Sequence, residues 1–327
     1  MTDIASGAPV QGSETGRRPE AIKAIPVRHP WRWVSAAVVL VFAAYVIYTL
    51  ATAPHLKWSV VGDYMFQRLV REGALLTVEL TLIAMGIGIS LGIVLAVMRI
   101  SPNPVMSWLS WFYIWFFRGT PVLVQIWFWF NLAIVLPRIG VGIPGTDIGW
   151  YASTNWLIPP IMAAILGLGL NEAAYMAEIV RAGIISVDLG QSEAAQALGM
   201  NRLLVMRRIV LPQAMRVILP PTGNETISML KTTSLAFVAS VPELYERANQ
   251  IASATFYVIE LLIVISIWYL AMTSVASIGQ SYLERRFGRG VSSTMPRGPW
   301  ERLTGSFFGS GVPPQLPLTQ RSPDKAI

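Results

Sequence analysis

The 327-residue sequence has no cysteine, which excludes disulfides, thiolate nucleophiles and cysteine-bound metals. It has two histidines, His29 and His55, 26 residues apart in segments flanking an apolar run, so no metal site is expected from them. No G-x-x-x-x-G-K-[ST] pattern occurs, and none of Lys23, Lys57, Lys231 and Lys325 follows a glycine. The usual backbone cradle for ATP phosphates is therefore missing. Charge is scarce as well. At 13% charged against 54% apolar residues, a soluble globular domain is excluded. The formal charge of +7 does not point to nucleic acid, because the basic residues gather in the tails and in the loops between apolar runs, as the positive-inside rule requires.

What is present is a series of apolar runs near the ~20 residues that cross a bilayer. Helices satisfy their own backbone groups in lipid and open sheets do not, so the fold class is all-α: a polytopic membrane protein of about six transmembrane helices. The expected spans are 34–53, 74–98, an aromatic third stretch beginning at Trp108 and continuing to Leu136, 156–180, 217–241 and 255–278. Trp31 and Trp33 stand at the start of the first as interfacial anchors. Residues 54–73, 137–156 and 242–254 are expected as outer loops. Residues 1–30 and 288–327 are expected as disordered cytoplasmic tails, 31–73 as an N-terminal helix with its loop, and 74–287 as the main domain. No cleavage site follows the first apolar run, so no signal peptide is expected. Arginines and lysines crowd the N-terminal flank, the loop from Arg181 to Arg216 and the Arg285–Arg289 tail, which places both termini in the cytoplasm.

Several polar residues interrupt the spans. Asn171, Tyr175 and Glu178 share one face of the fourth, and Glu178 with Arg181 reads as an i, i+3 structural pair. The fifth holds Asn224, Glu225, Ser228 and Lys231. Glu225 is read either as half of a buried pair with Lys231 or Arg216, or as a carboxylate facing a cavity. Arg118 reads as a residue snorkelling to the inner interface.

The polar island 186–221, SVDLGQSEAAQALGMNRLLVMRRIVLPQAMRVILPP, breaks the apolar pattern. Asp188 is placed to cap a short helix, with Gln191 completing a capping box. Ala194, Ala195, Ala197 and Leu198 are expected on one face, and Ser192, Glu193 and Gln196 on the other. Gly199 is placed to end the helix in the left-handed conformation, with Met200 as the following apolar contact. Asn201 caps a second helix carrying Arg202, Arg207 and Arg208, which Pro212 ends or restarts. Periodicity alone also allows a basic amphipathic loop lying on the membrane surface.

The exact residues go further. Glu193-Ala194-Ala195, Gly199, Ile209 and Leu211-Pro212 match, without a gap, the EAA motif of ABC importer permeases. FRGTPVLVQ, from Phe117 to Gln125, closely resembles a signature of the polar amino-acid permeases within that family. The patterns Leu170–Ile184, Leu211–Arg216 and Gly223–Leu235 resemble it too. Thr232 stands where the family more usually has aspartate, and Glu172 where a small or polar residue is expected. The likeness covers about residues 70–287, so the first span is extra to the family's five-helix core.

The resemblance implies the permease subunit of an ATP-driven importer for polar amino acids, in the inner membrane of a bacterium. It is not itself an enzyme. It implies coupling to a cytoplasmic ATPase dimer through Glu193, Ala194, Ala195 and Gly199, and a substrate pathway touching Asn171, Tyr175, Asn224 and Glu225. The implied partners are that ATPase, a second permease subunit, an extracytoplasmic amino-acid-binding protein, the amino acid itself and lipid, with no nucleic acid. No cofactor is expected in this chain, ATP and magnesium being held by the ATPase. The alternative is a secondary transporter driven by protons or sodium through Glu172, Glu225 and Lys231. The spacing of the EAA island argues against it, since ion coupling needs no cytoplasmic helix–glycine–helix element.

Overall fold

A computed structural model describes residues 30–142 and 149–287. The two expected tails otherwise lie outside the described residues. The chain divides at Leu56/Lys57 into two units. In the first, α1 (Pro30–Ala51) presents every side chain from Trp33 to Ala51 to its surroundings. A helix apolar on all sides, carrying no charge over that stretch, has lipid as its natural solvent.

The second unit is a helical assembly. Its elements are α2 (Trp58–Met65), α3 (Arg68–Ile100), α4 (Pro104–Gly119), α5 (Val122–Phe130), α6 (Leu132–Val135), α7 (Thr154–Leu157), α8 (Pro160–Ile185), α9 (Leu189–Ala197), α10 (Arg202–Val205), α11 (Leu211–Thr232), α12 (Leu244–Thr255) and α13 (Val258–Phe287). Among the described residues, four helices are long and apolar enough to cross a membrane: α1, α3, α8 and α13. The expected third span is instead two shorter helices, because Thr120 and Pro121 leave helical geometry between α4 and α5. Gln125 satisfies backbone carbonyls at the break, donating to Phe117 O at 3.0 Å and Thr120 O at 3.1 Å. The expected fifth span is α11, which carries Arg216, Glu225 and Lys231, and tightens to a 3₁₀-helix at Thr233–Ala239.

Two outer segments read as loops are ordered. Residues 58–65 form α2, whose Val60 and Val61 are buried. Of the expected loop 137–156, residues 143–148 lie outside the described residues, and the rest holds an antiparallel pair, β1 (Arg138–Gly142) with β2 (Gly149–Ser153), matched from Arg138↔Ser153 to Gly142↔Gly149. This strand pair is the departure from an all-α chain. Alternation of glycines with Val141, Trp150 and Tyr151 suits a small exposed ribbon, and gives no apolar run that a sequence reading would detect.

The core lies where α3 and α8 run together. A Cβ on Gly88 would stand 2.8 Å from Glu172 Cβ, and one on Gly92 2.6 Å from Met176 Cβ. Small residues are what let two membrane helices approach this closely, where dispersion replaces the hydrophobic effect. Leu80, Ala84, Ile126, Leu168, Met176 and Ile218 fill the space around this seam.

Candidate functional site

The polar island folds as two capped helices around a glycine. Asp188 accepts from the Gly190 N–H at 2.7 Å, and Asn201 from the Leu204 N–H at 2.9 Å. The Gln191 side chain makes no hydrogen bond among the described residues, so the expected capping box is only half made. Gly199 has φ +80°, as its position after the helix demands. Its N–H reaches Gln196 O at 2.9 Å, and the Met200 N–H reaches Ala195 O at 3.1 Å. Together they make a Schellman turn. After α10 the chain passes through a π-helical turn, Met206–Val210, into α11, so Pro212 restarts a helix rather than ending one.

The faces of α9 differ from the expected ones. Ala195 alone turns inward, beside Val205, Val210, Met200 and Val187. Ala194, Ala197 and Leu198 face outward with Glu193 and Gln196. The reason is the Schellman turn, which folds Met200 back over Ala195 and so selects that residue for the small core. Leu198 is left 84% exposed and Leu203 78% exposed. Both leucines stand on an otherwise polar, basic segment.

The intramembrane polar residues fall into two groups. In the first, each side chain has a structural partner. Asn171 is buried and donates to Phe117 O at 2.7 Å, tying α8 to the end of α4. Glu178 and Arg181 form the expected ion pair at 2.7 Å. Asn224 accepts from Gln280 of α13 at 2.8 Å. In the second group the charges are open. Glu225 is half-buried and has neither ion pair nor hydrogen bond among the described residues, so the pairing with Lys231 or Arg216 is not formed. Lys231 is exposed. The Arg118 guanidinium lies over the Tyr175 ring, 5.1 Å from its centroid, and likewise has no ion pair. Glu225 is within Coulombic reach of both Arg118 and Glu172. Glu172 is 3% exposed, and its Oε1 has no hydrogen-bond partner.

Helices α4, α8 and α11 thus bring together two carboxylates, a guanidinium and an aromatic ring. Arg118 was legible as a snorkelling residue and as part of the FRGTPVLVQ signature; its place beside Tyr175 and Glu225 was not anticipated. A separate groove of about 430 Å³ lies between α3, α11 and α13. It is lined by Val78, Leu82, Thr226, Trp268, Met272 and Val275 and offers no charge to a polar solute. Among the described residues no cluster of metal-ligating side chains occurs.

A bundle of lipid-length helices with charges gathered inside it, joined to an exposed helix–glycine–helix loop, defines a membrane transporter subunit. The model of the family described as "Binding-protein-dependent transport system inner membrane component" matches residues 88–289. The chain is 46% identical over 298 residues to the arginine transport system permease protein ArgU of Corynebacterium glutamicum, covering 90% of this chain and 91% of that protein. It is 37% identical to the nopaline transport system permease protein NocM of Agrobacterium fabrum, over 68% of this chain and 90% of the relative. A crystal structure of an amino acid ABC transporter with histidines aligns at TM-score 0.57 and 36% identity, over 67% of this chain and 94% of that one. The chain belongs to this family of inner membrane components and is the permease subunit of an amino-acid ABC importer, whose ATPase is a separate partner.

Proposed function

We propose that this subunit forms the pathway for polar amino acids, in particular those with a cationic side chain, and takes its energy from a cytoplasmic ATPase dimer docked on the Glu193–Gly199 loop. The observation that carries the substrate reading is the open charge cluster on α4, α8 and α11. Glu225 supplies an unpaired carboxylate and Arg118 an unpaired guanidinium, so an amino acid's ammonium and carboxylate each meet an opposite charge. Glu172 adds a second carboxyl group nearby, buried and with Oε1 unpartnered, which offers a further acceptor to a ligand whose side chain carries its own donors. Tyr175 forms the wall under Arg118. Asn171 and Asn224, each already bonded to protein, shape the site from behind. The name of the relative from C. glutamicum, an arginine permease, agrees with this preference.

For coupling, the left-handed Gly199 and the exposed Leu198 and Leu203 support a rigid knob that inserts into a partner. ATP and magnesium belong to that partner. A second permease subunit, identical or homologous, encloses the pathway from the other side, and an extracytoplasmic binding protein delivers the substrate. Both termini lie in the cytoplasm. The ion-driven alternative would join Lys231 to the two carboxylates; Lys231 is exposed and pairs with neither. The test is uptake by the complex reconstituted with its ATPase and binding protein, across a panel of basic, neutral and acidic amino acids. ATP-dependent uptake of arginine, lysine or ornithine above the neutral ones supports the reading. Uptake driven by an ion gradient without ATP overturns it.

A further inference from the structure

Outside the charge cluster, one buried carboxylate is fully engaged. Glu243 is 0% exposed and caps α12. Its Oε1 accepts from the Glu246 N–H at 2.9 Å, and its Oε2 from the Tyr245 N–H at 2.9 Å. Oε2 also accepts from the Tyr269 hydroxyl of α13 at 3.1 Å. Thr77 of α3 stands 3.5 Å from Oε2, donates to Gly73 O at 3.0 Å and accepts from the Leu244 N–H at 3.2 Å. Three long-range elements therefore meet at one side chain. The backbones are close as well: a Cβ on Gly73 would lie 2.9 Å from Leu244 Cα and 3.0 Å from Glu243 O.

The chain on either side is unusual. Ser240 at φ +55° and Phe256 at φ +64° bracket α12, and they are the non-glycine residues with positive φ among the described residues. Such conformations are unfavourable and persist where the surroundings hold them. Between Ser240 and the Glu225-bearing helix lies the 3₁₀ segment Thr233–Ala239, longer than the roughly three or four residues that this weaker hydrogen-bond geometry usually sustains.

We propose that Glu243 is a positioning residue whose carboxylate fixes α12 to α3 and α13 as a stationary outer frame, so that the Thr233–Ala239 segment absorbs the movement of α11 during transport. This rests on the transport reading above for its functional consequence, and on geometry alone for the brace. A helix cap by itself needs only the Tyr245 and Glu246 N–H groups. The reach to Tyr269 is what converts a cap into a tie. Asp at this position keeps a good cap but is one methylene shorter, so it separates the two roles.

The cysteine-free chain makes the test direct. Spin labels on cysteines replacing Leu75 of α3 and Asn249 of α12 report the frame, and labels replacing Leu75 and Ser228 report α11; all three positions are at exposed or lipid-side surface. The complete complex in nanodiscs is measured with and without ATP. In the parent chain the 75–249 distance is expected to stay narrow and constant while the 75–228 distance shifts. Glu243→Asp and Tyr269→Phe are both expected to broaden the 75–249 distance, and to raise the ATP consumed per amino acid moved. Tyr269→Phe removes one hydroxyl and keeps the fold if Glu243→Asp does not. A 75–249 distance that shifts with ATP as far as the 75–228 distance overturns the proposal, as does a narrow 75–249 distance with unchanged coupling in Tyr269→Phe. Failure of the substrate reading would show as absent uptake in the parent chain and leave the label distances to decide the brace.

Discussion

The N–H of Met200 donates to the carbonyl of Ala195 at 3.1 Å, reaching across Gly199 in its left-handed conformation. That bond sets the direction in which Leu198 and Leu203 are presented. A β-branched residue at Gly199 must either pay the left-handed penalty, roughly 1–2 kcal/mol, or open the turn. Nothing lies within 4 Å of an added Cβ there, so the backbone and not crowding is the obstacle. Gly199→Val is expected to leave membrane insertion and permease yield unchanged while the ATPase is lost on copurification or hydrolyses ATP without transport. Copurification with normal uptake would show that the turn is not the coupling element.

Gly88 and Glu172 test the seam between α3 and α8. The Glu172 stem occupies the place where a Gly88 side chain would go. Gly88→Val is expected to lower stability by about 1–3 kcal/mol through overpacking, read as a lower thermal midpoint of the purified permease in detergent. Shortening the stem with Glu172→Ala removes the Cγ contact, so the double variant should recover part of the loss. Neighbours that share a contact are not additive. Additive losses would mean that the two helices do not meet at this pair.

The spans that became α1, α3, α8 and α13, and the caps of the loop, were legible because their signals are local. Asp188, Gly199 and Asn201 act within a few residues of themselves, and their backbone roles follow from position alone. The Glu178–Arg181 pair was legible for the same reason, lying one helical turn apart. What was not legible depends on where separate helices meet. Nothing near Glu243 announces that Thr77 and Tyr269 will face it across 166 and 26 residues of chain. Glutamate is also an uncommon cap, so the start of α12 carried no strong signal. The inward face of α9 was misplaced because a short helix whose candidate core residues are the alanines Ala194, Ala195 and Ala197 has little periodicity, and the choice of Ala195 is made by Met200 beyond the helix end. Asn171 and Asn224 looked like ligands because a polar residue in a span suggests function; their bonds to Phe117 O and Gln280 show that each also has a structural partner.

Orientation is testable without a partner. In the orientation proposed above, the 186–221 island lies in the cytoplasm and α12 on the opposite side. Single cysteines replacing Asn201 and Asn249, both exposed, are the probes. With an impermeant thiol reagent on intact cells, the cysteine at 249 is expected to label and the one at 201 to label only after the cells are opened. The reverse pattern would invert the topology and remove the coupling role from the island.

Glu225 bears the substrate reading, and Glu225→Gln isolates its charge. The variant keeps the size of the side chain and one acceptor oxygen. Because Glu225 has no ion pair or hydrogen bond among the described residues, the substitution leaves no protein partner unsatisfied, and assembly of the complex is expected at normal yield. The loss should fall on the ligand. A charge-assisted bond to an ammonium becomes a neutral one, a difference of about 1–2 kcal/mol, or roughly 5–30-fold in half-saturation for uptake. The loss should be larger for basic amino acids than for neutral ones, since Glu225 is then one of two carboxyl groups facing a ligand that carries two cationic groups. Stimulation of the ATPase by the binding protein should persist, because it enters through other surfaces. Poor assembly with unchanged half-saturation in the surviving complex would mean that Glu225 is structural. Uptake unchanged for every amino acid in the panel would take Glu225 out of the pathway.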